Sequence, residues 1–176
     1  MRAPGPDELA ARAAIADVIH LYCHSIDRRR WDRLGDCFHP DATYHFGNID
    51  GDWRHFVAVA EAIIGPTRIT HHQTGNILYR FDGDTAETET YFTAWHRVRA
   101  DAPADAAFPG NGVERDLVVA GRYIDRFTCR DGDWRIAHRT GVTDWRHDHP
   151  AADFGLFNLS ADGRGAVDGS DPAPKF

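Results

Sequence analysis

Residues 67–99, TRITHHQTGNILYRFDGDTAETETYFTAWHRVR, decide the fold class. Two runs rich in Thr, Ile, Tyr and Phe flank Asp82-Gly83-Asp84, and an Asp-Gly step between such runs marks a β-hairpin. The expected strands are residues 67–81 and 85–99. The same signal returns downstream, where residues 115–129 and 134–146 flank RDGD at 130–133. Within the first of these strands lies THHQTGN, residues 70–76. Side chains alternate faces along a strand, so His71 and His72 point opposite ways, and one of them faces a core or a pocket.

Upstream the spacing is helical. Asp7 is the expected N-cap of a first helix in which Ile15, Val18, Ile19, Tyr22 and Ile26 share one face, running to about Asp27. A short second helix is expected around Trp31–Cys37, ending before His39-Pro40 because proline disfavours helix at the residue before it. ATYHF, residues 42–46, reads as a short strand. Asp52 caps a third helix whose apolar stripe is Phe56, Val59, Ala60, Ile63 and Ile64, ended by Gly65-Pro66. Helices first and long antiparallel strands afterwards give an α+β protein, with helices on one face of a curved sheet and a pocket inside the cone so formed.

Composition narrows the function. The 176 residues are expected to form one domain, with its core over 8–146 and an irregular tail over 147–176 in which DFGLFNL (153–159) packs back on the body. A net charge of -7 argues against nucleic acid and against an anionic membrane surface. No apolar h-region opens the chain and no run is long enough to span a bilayer, so a soluble, cytoplasmic protein is expected. Cys23, Cys37 and Cys129 form no CxxC pair and read as reduced thiols. Lys175 is the only lysine and sits in the polar tail, which removes Schiff-base chemistry. GxSxG, the P-loop and GxGxxG are all absent, so serine hydrolases, NTPases and dinucleotide enzymes are unsupported.

The residues able to carry chemistry are few. Tyr22 and Asp27 lie near the end of the first helix. A carboxylate there opposes the helix dipole and needs a partner, either an arginine of the adjoining Arg28-Arg29-Arg30 or a histidine. A carboxylate beside a strand histidine would fix the imidazole tautomer and raise its basicity. Asn76 shares the parity of His72 and is placed to donate to a developing oxyanion. His96, Arg139, Asp144 and Arg146 are candidates to reach the pocket, subject to any bulge that reverses parity. His20 and His24 are four apart on the helix, but without HExxH or a carboxylate trio no metal and no other cofactor is expected.

Five segments in order, YCHSIDRRRWDRL (22–34), FHPDATY (38–44), THHQTGN (70–76), DGDTAETETYFTAWHRV (82–98) and DGDWRIAHRTGVTDW (131–145), resemble the SnoaL-like branch of the NTF2-like superfamily. The resemblance spans about residues 8–146 and implies an α+β cone with three N-terminal helices closing a pocket. Relatives such as scytalone dehydratase and lindane dehydrochlorinase pair a helix aspartate with a strand histidine that acts as base. Carried over residue by residue, the resemblance assigns Tyr22, Asp27 and His72 to the catalytic set. It implies a cofactor-independent lyase, most simply a dehydratase, on a small hydrophobic cyclic or aromatic molecule. An isomerase or cyclase, a lyase on a diaryl diol, and a silent ligand-binding module are the alternatives. The resemblance also implies a dimer or trimer. The dehydratase and dehydrochlorinase relatives carry an arginine nine residues after the last-strand tryptophan; here that position is Thr143, with Arg139 and Arg146 as the candidates to replace it.

Overall fold

A computed structural model describes residues 3–152, 160, 163–167 and 171. Helix α1 (Pro6–Asp27) is followed by a short 3-10 helix (Trp31–Asp36), strands β1 (Phe38–Phe46) and β2 (Ile49–Asp52), helix α2 (Trp53–Ile64), and four long strands. These are β3 (Ile69–Asp82), β4 (Thr85–Val98), β5 (Arg115–Arg130) and β6 (Asp133–Pro150). One six-stranded sheet runs in the order β2-β1-β6-β5-β4-β3, antiparallel except where β1 meets β6. Its ends, β2 and β3, do not pair, so the curved sheet stays open. The α+β class and the curved sheet agree with the expectation from sequence.

The local reasons are visible. Asp52 caps α2 as expected, its carboxylate accepting the N–H groups of Arg54 and His55 at 2.8 and 2.9 Å. The second Asp-Gly turn places Asp131 at φ 55 and Gly132 at φ 83, the paired left-handed conformation that matches strand twist. On α1 the buried residues Ile15, Ile19, Tyr22 and Ile26 make one stripe against the sheet.

Several expectations are corrected. Gly5, not Asp7, caps α1; Pro6 takes the first helical position, where its missing N–H costs nothing. The second helix is a single 3-10 segment, because Gly35 and Asp36 give it no apolar stripe to extend. His39 and Pro40 lie within β1 rather than before it. β6 continues past Arg146 to Pro150, where Arg115 pairs with it across the ladder, so His147 and His149 are strand residues. The DFGLFNL segment lies outside the described residues. Nearby chain does return to the body: Arg28 donates to the Ala166 carbonyl at 3.0 Å and pairs with Asp171 at 3.2 Å.

The sheet's register breaks at several points, one of them at Ala137 in β6, where Arg126 faces His138 and Phe127 faces Ile136, and two more shape the site. In β3, Thr74 faces Phe92 and Ile77 faces Thr90, so Gly75 and Asn76 together oppose only Tyr91. In β6, Thr143 faces Gly121 and Trp145 faces Ala120, leaving Asp144 unpaired. Gly121 is required here, because a Cβ on it would lie 1.9 Å from the Val142 carbonyl oxygen. Bulges bend and twist their strands, and both lie near the middle of the sheet, beside Phe92 and Gly121.

Candidate active site

The inner face of the sheet, α1 and α2 enclose a cavity of about 290 Å³. Its walls are aromatic and aliphatic, with Tyr22, Tyr44, Phe56, Phe92 and Tyr123 among them, and its polar side chains include His72, His96, Thr143 and Arg146. A mostly apolar hollow with a few convergent polar groups is the form small-molecule sites take.

Asp27 ends α1, and its carboxylate meets the start of β3. One oxygen accepts the backbone N–H of His72 at 2.8 Å, and the other lies 2.7 Å from His72 Nδ1. Both side chains are more than nine-tenths buried. A carboxylate can only accept, so Nδ1 carries the proton and Nε2 keeps its lone pair. His71 is exposed on the opposite sheet face, 5.9 Å from the Trp95 ring. The strand question raised by residues 71 and 72 is thus decided by geometry: His72 turns inward.

Tyr22 is buried, and its hydroxyl lies 3.4 Å from that of Tyr44. Burial first, then the neighbouring Tyr44 and Tyr123, hold the Tyr22 phenol well above its usual range. Burial likewise pushes Tyr44 up to about 12. Both therefore stay protonated and able to donate. Tyr44 was missed as a functional candidate; the signal was the alternation Ala42, Tyr44, Phe46, which places all three on one face of β1.

His96 lies in β4 with its ring 5.6 Å from that of His72 and its Nδ1 2.9 Å from the Thr70 hydroxyl. Burial, and secondarily His72, lowers its pKa to about 3, so it remains neutral in ordinary conditions. Phe108, from the loop between β4 and β5, stacks on its other side at 5.4 Å.

Three expected pocket residues stand elsewhere. Arg139 is fully buried behind the cavity wall, its guanidinium doubly bonded to Asp125 at 2.7 Å and sandwiched between the Tyr22 and Tyr123 rings at 4.2 Å each. Burial works against its charge, but Asp125 more than offsets this and the pKa rises. Arg139 therefore supports the tyrosines from behind. Asp144, displaced by the β6 bulge, forms a two-point ion pair with Arg122 on the outside of the sheet. Asn76, displaced by the β3 bulge, is exposed in an outer crease with Asp144 and Trp145. Its shared parity with His72 is cancelled by the extra residue. Thr143 and Arg146 line the cavity instead.

Among the described residues no cluster of three or more His, Cys, Asp or Glu side chains is arranged to hold a metal ion. No described helix is long and apolar enough to cross a membrane.

Residues 7–140 match the model of the SnoaL-like domain, and the chain belongs to that family. It is 33% identical over 136 residues to an uncharacterized protein of Mycobacterium tuberculosis, covering 75% of this chain and 84% of that one. The fold is similar to that of a hexachlorocyclohexane dehydrochlorinase (TM-score 0.70, 20% identity, 84% of this chain and 95% of the other). It is also similar to a candidate scytalone dehydratase from Novosphingobium aromaticivorans (TM-score 0.67, 22% identity, 82% and 91%).

Proposed function

We propose that this protein is a cofactor-independent lyase of the dehydratase type, acting on a small hydrophobic cyclic or aromatic molecule. The observation that carries the reading is the two-point hold of Asp27 on His72, which leaves one ring nitrogen free beside an apolar cavity. His72 Nε2 takes a proton from carbon, the C–H electrons form the new double bond, and the C–O bond breaks. Tyr22 and Tyr44, held protonated, donate hydrogen bonds to the oxygen that gains charge. The departing hydroxide takes up the proton that His72 removed from carbon and leaves as water, which returns the imidazole to its neutral form. The dehydrochlorinase and the candidate dehydratase among the structural neighbours support elimination as the reaction class.

A proton returned to another carbon, with no group expelled, would make the same base an isomerase. Thr143 at the relatives' arginine position, where no leaving-group cation stands, favours neither chemistry but a catalytically silent binding module. Mass spectrometry of a ligand carried through purification, before and after turnover, separates the two. Loss of one water supports elimination; an unchanged mass with a moved double bond supports isomerisation. No change with any carried ligand, in a protein whose His72 is intact, argues for a silent binding module.

The reading extends to a single cytoplasmic domain that assembles through its convex sheet face, where Tyr91, Trp95 and Trp145 are exposed.

A further inference from the structure

Thr143 and Arg146 both line the cavity although three residues separate them. A regular strand would turn them to opposite faces. The bulge at Asp144 removes one step of the alternation, so Arg146 pairs with Val119, itself a cavity residue, while Thr143 pairs with Gly121. Arg146 and Thr143, both exposed, thereby stand on the cavity's side of β6, at the edge of a hollow whose walls are otherwise mainly hydrocarbon and aromatic.

The arginines nearby are committed. On the neighbouring β5, Arg115 pairs with Asp148 and Arg122 with Asp144 and Glu89, and on β6 itself Arg139 pairs with Asp125. Arg146 has no carboxylate or carbonyl partner among the described residues. It stays charged at every working pH. His96 is neutral, so it adds no positive charge to the cavity. An uncompensated cation beside an apolar hollow calls for an anion that brings its own hydrocarbon.

We propose that Arg146 is the anion-binding residue of this cavity and that the ligand is an amphipathic carboxylate, its ring among the aromatic walls and its carboxylate on the guanidinium. Thr143 supplies a second donor. One cation and one hydroxyl suit a monoanion; a phosphate draws several cations or a helix N-terminus. The net charge of -7 repels anions from the rest of the surface, which makes their binding depend on this one side chain. The proposal rests on the cavity being the small-molecule site described above, but not on His72 acting as a base.

The test is calorimetric titration of 2-naphthoate and its neutral counterpart 2-naphthamide into the full chain, Arg146→Gln, Arg146→Lys and His72→Asn. A hydrogen-bonded charge pair predicts that the carboxylate binds about 10- to 100-fold tighter than the amide. Arg146→Gln should abolish that preference without weakening the amide, and added salt should reduce it. Arg146→Lys should keep part of it, and His72→Asn all of it. Equal affinities in the full chain, a preference that survives Arg146→Gln, or no binding of either probe would overturn the proposal. Because the readout is binding, failure of the base chemistry leaves it unmoved, and loss of the carboxylate preference leaves the base chemistry standing.

Discussion

Asp27 holds His72 by two different parts of the same residue, taking the main-chain N–H with one oxygen and meeting ring Nδ1 with the other at 2.7 Å. The first bond fixes where β3 begins relative to the end of α1. The second fixes the tautomer and the rotamer of the ring. A carboxylate placed at a helix C-terminus is electrostatically disfavoured, and these two bonds are what offset the cost.

Residues that act as one unit give non-additive losses. Asp27→Asn, His72→Ala and the double variant should therefore fall to similar residual activity, each down by about 10² to 10⁴ in kcat, the usual share of a general base. His71→Ala, on the opposite face beside Trp95, should cost little. Steady-state kinetics on the identified substrate check this, and an additive double variant would break the unit apart.

His96 gives a pH signature. Its pKa falls from 6.5 to about 3 on folding, so between those values the unfolded chain binds a proton that the native state refuses. Stability must then fall as pH drops through that window, by up to about 1.4 kcal/mol per pH unit from this group. Urea unfolding at pH 7 and pH 5 measures it. A His96→Gln variant should lose part of the difference, and an NMR titration of His96 with a midpoint near 6.5 would contradict it.

The buried pair of Arg139 and Asp125 makes an asymmetric prediction. Asp125→Asn leaves an uncompensated guanidinium between two tyrosines and should cost about 3–5 kcal/mol. Replacing both members with apolar residues of similar volume should cost much less. Chemical denaturation of the three variants decides the point; equal losses would mean that packing, not charge, dominates there.

The convex face carries a prediction about assembly. With Tyr91, Trp95 and Trp145 exposed on the face opposite the cavity, sedimentation at micromolar concentration should show a dimer or trimer. Trp95→Glu combined with Trp145→Glu should shift it towards monomer. A monomeric parent chain would end the idea.

Features set by neighbours in the chain were legible before any coordinates. The Asp-Gly turns, the Asp52 cap, the stripe of α1 and the α+β order all follow from a period of 2 or 3.6 and from turn chemistry, which are local properties. Strand parity showed only that one of His71 and His72 must face inward; the choice of Tyr22, Asp27 and His72 came from the resemblance to the SnoaL-like relatives. The positions of Asn76, Asp144, Thr143 and Arg146 were not legible, since a bulge in β3 and two in β6, at Ala137 and Asp144, each reverse parity from that point on. Those bulges answer to the curvature that the whole sheet must take to wrap the helices, and no single strand encodes it. Arg139 belongs to the same class: its sequence neighbours suggest a pocket residue, but Asp125 across the ladder draws it into the core. Periodicity specifies a face only while the register is unbroken. Where it breaks, the choice between cavity and surface passes to contacts made across strands far apart in sequence.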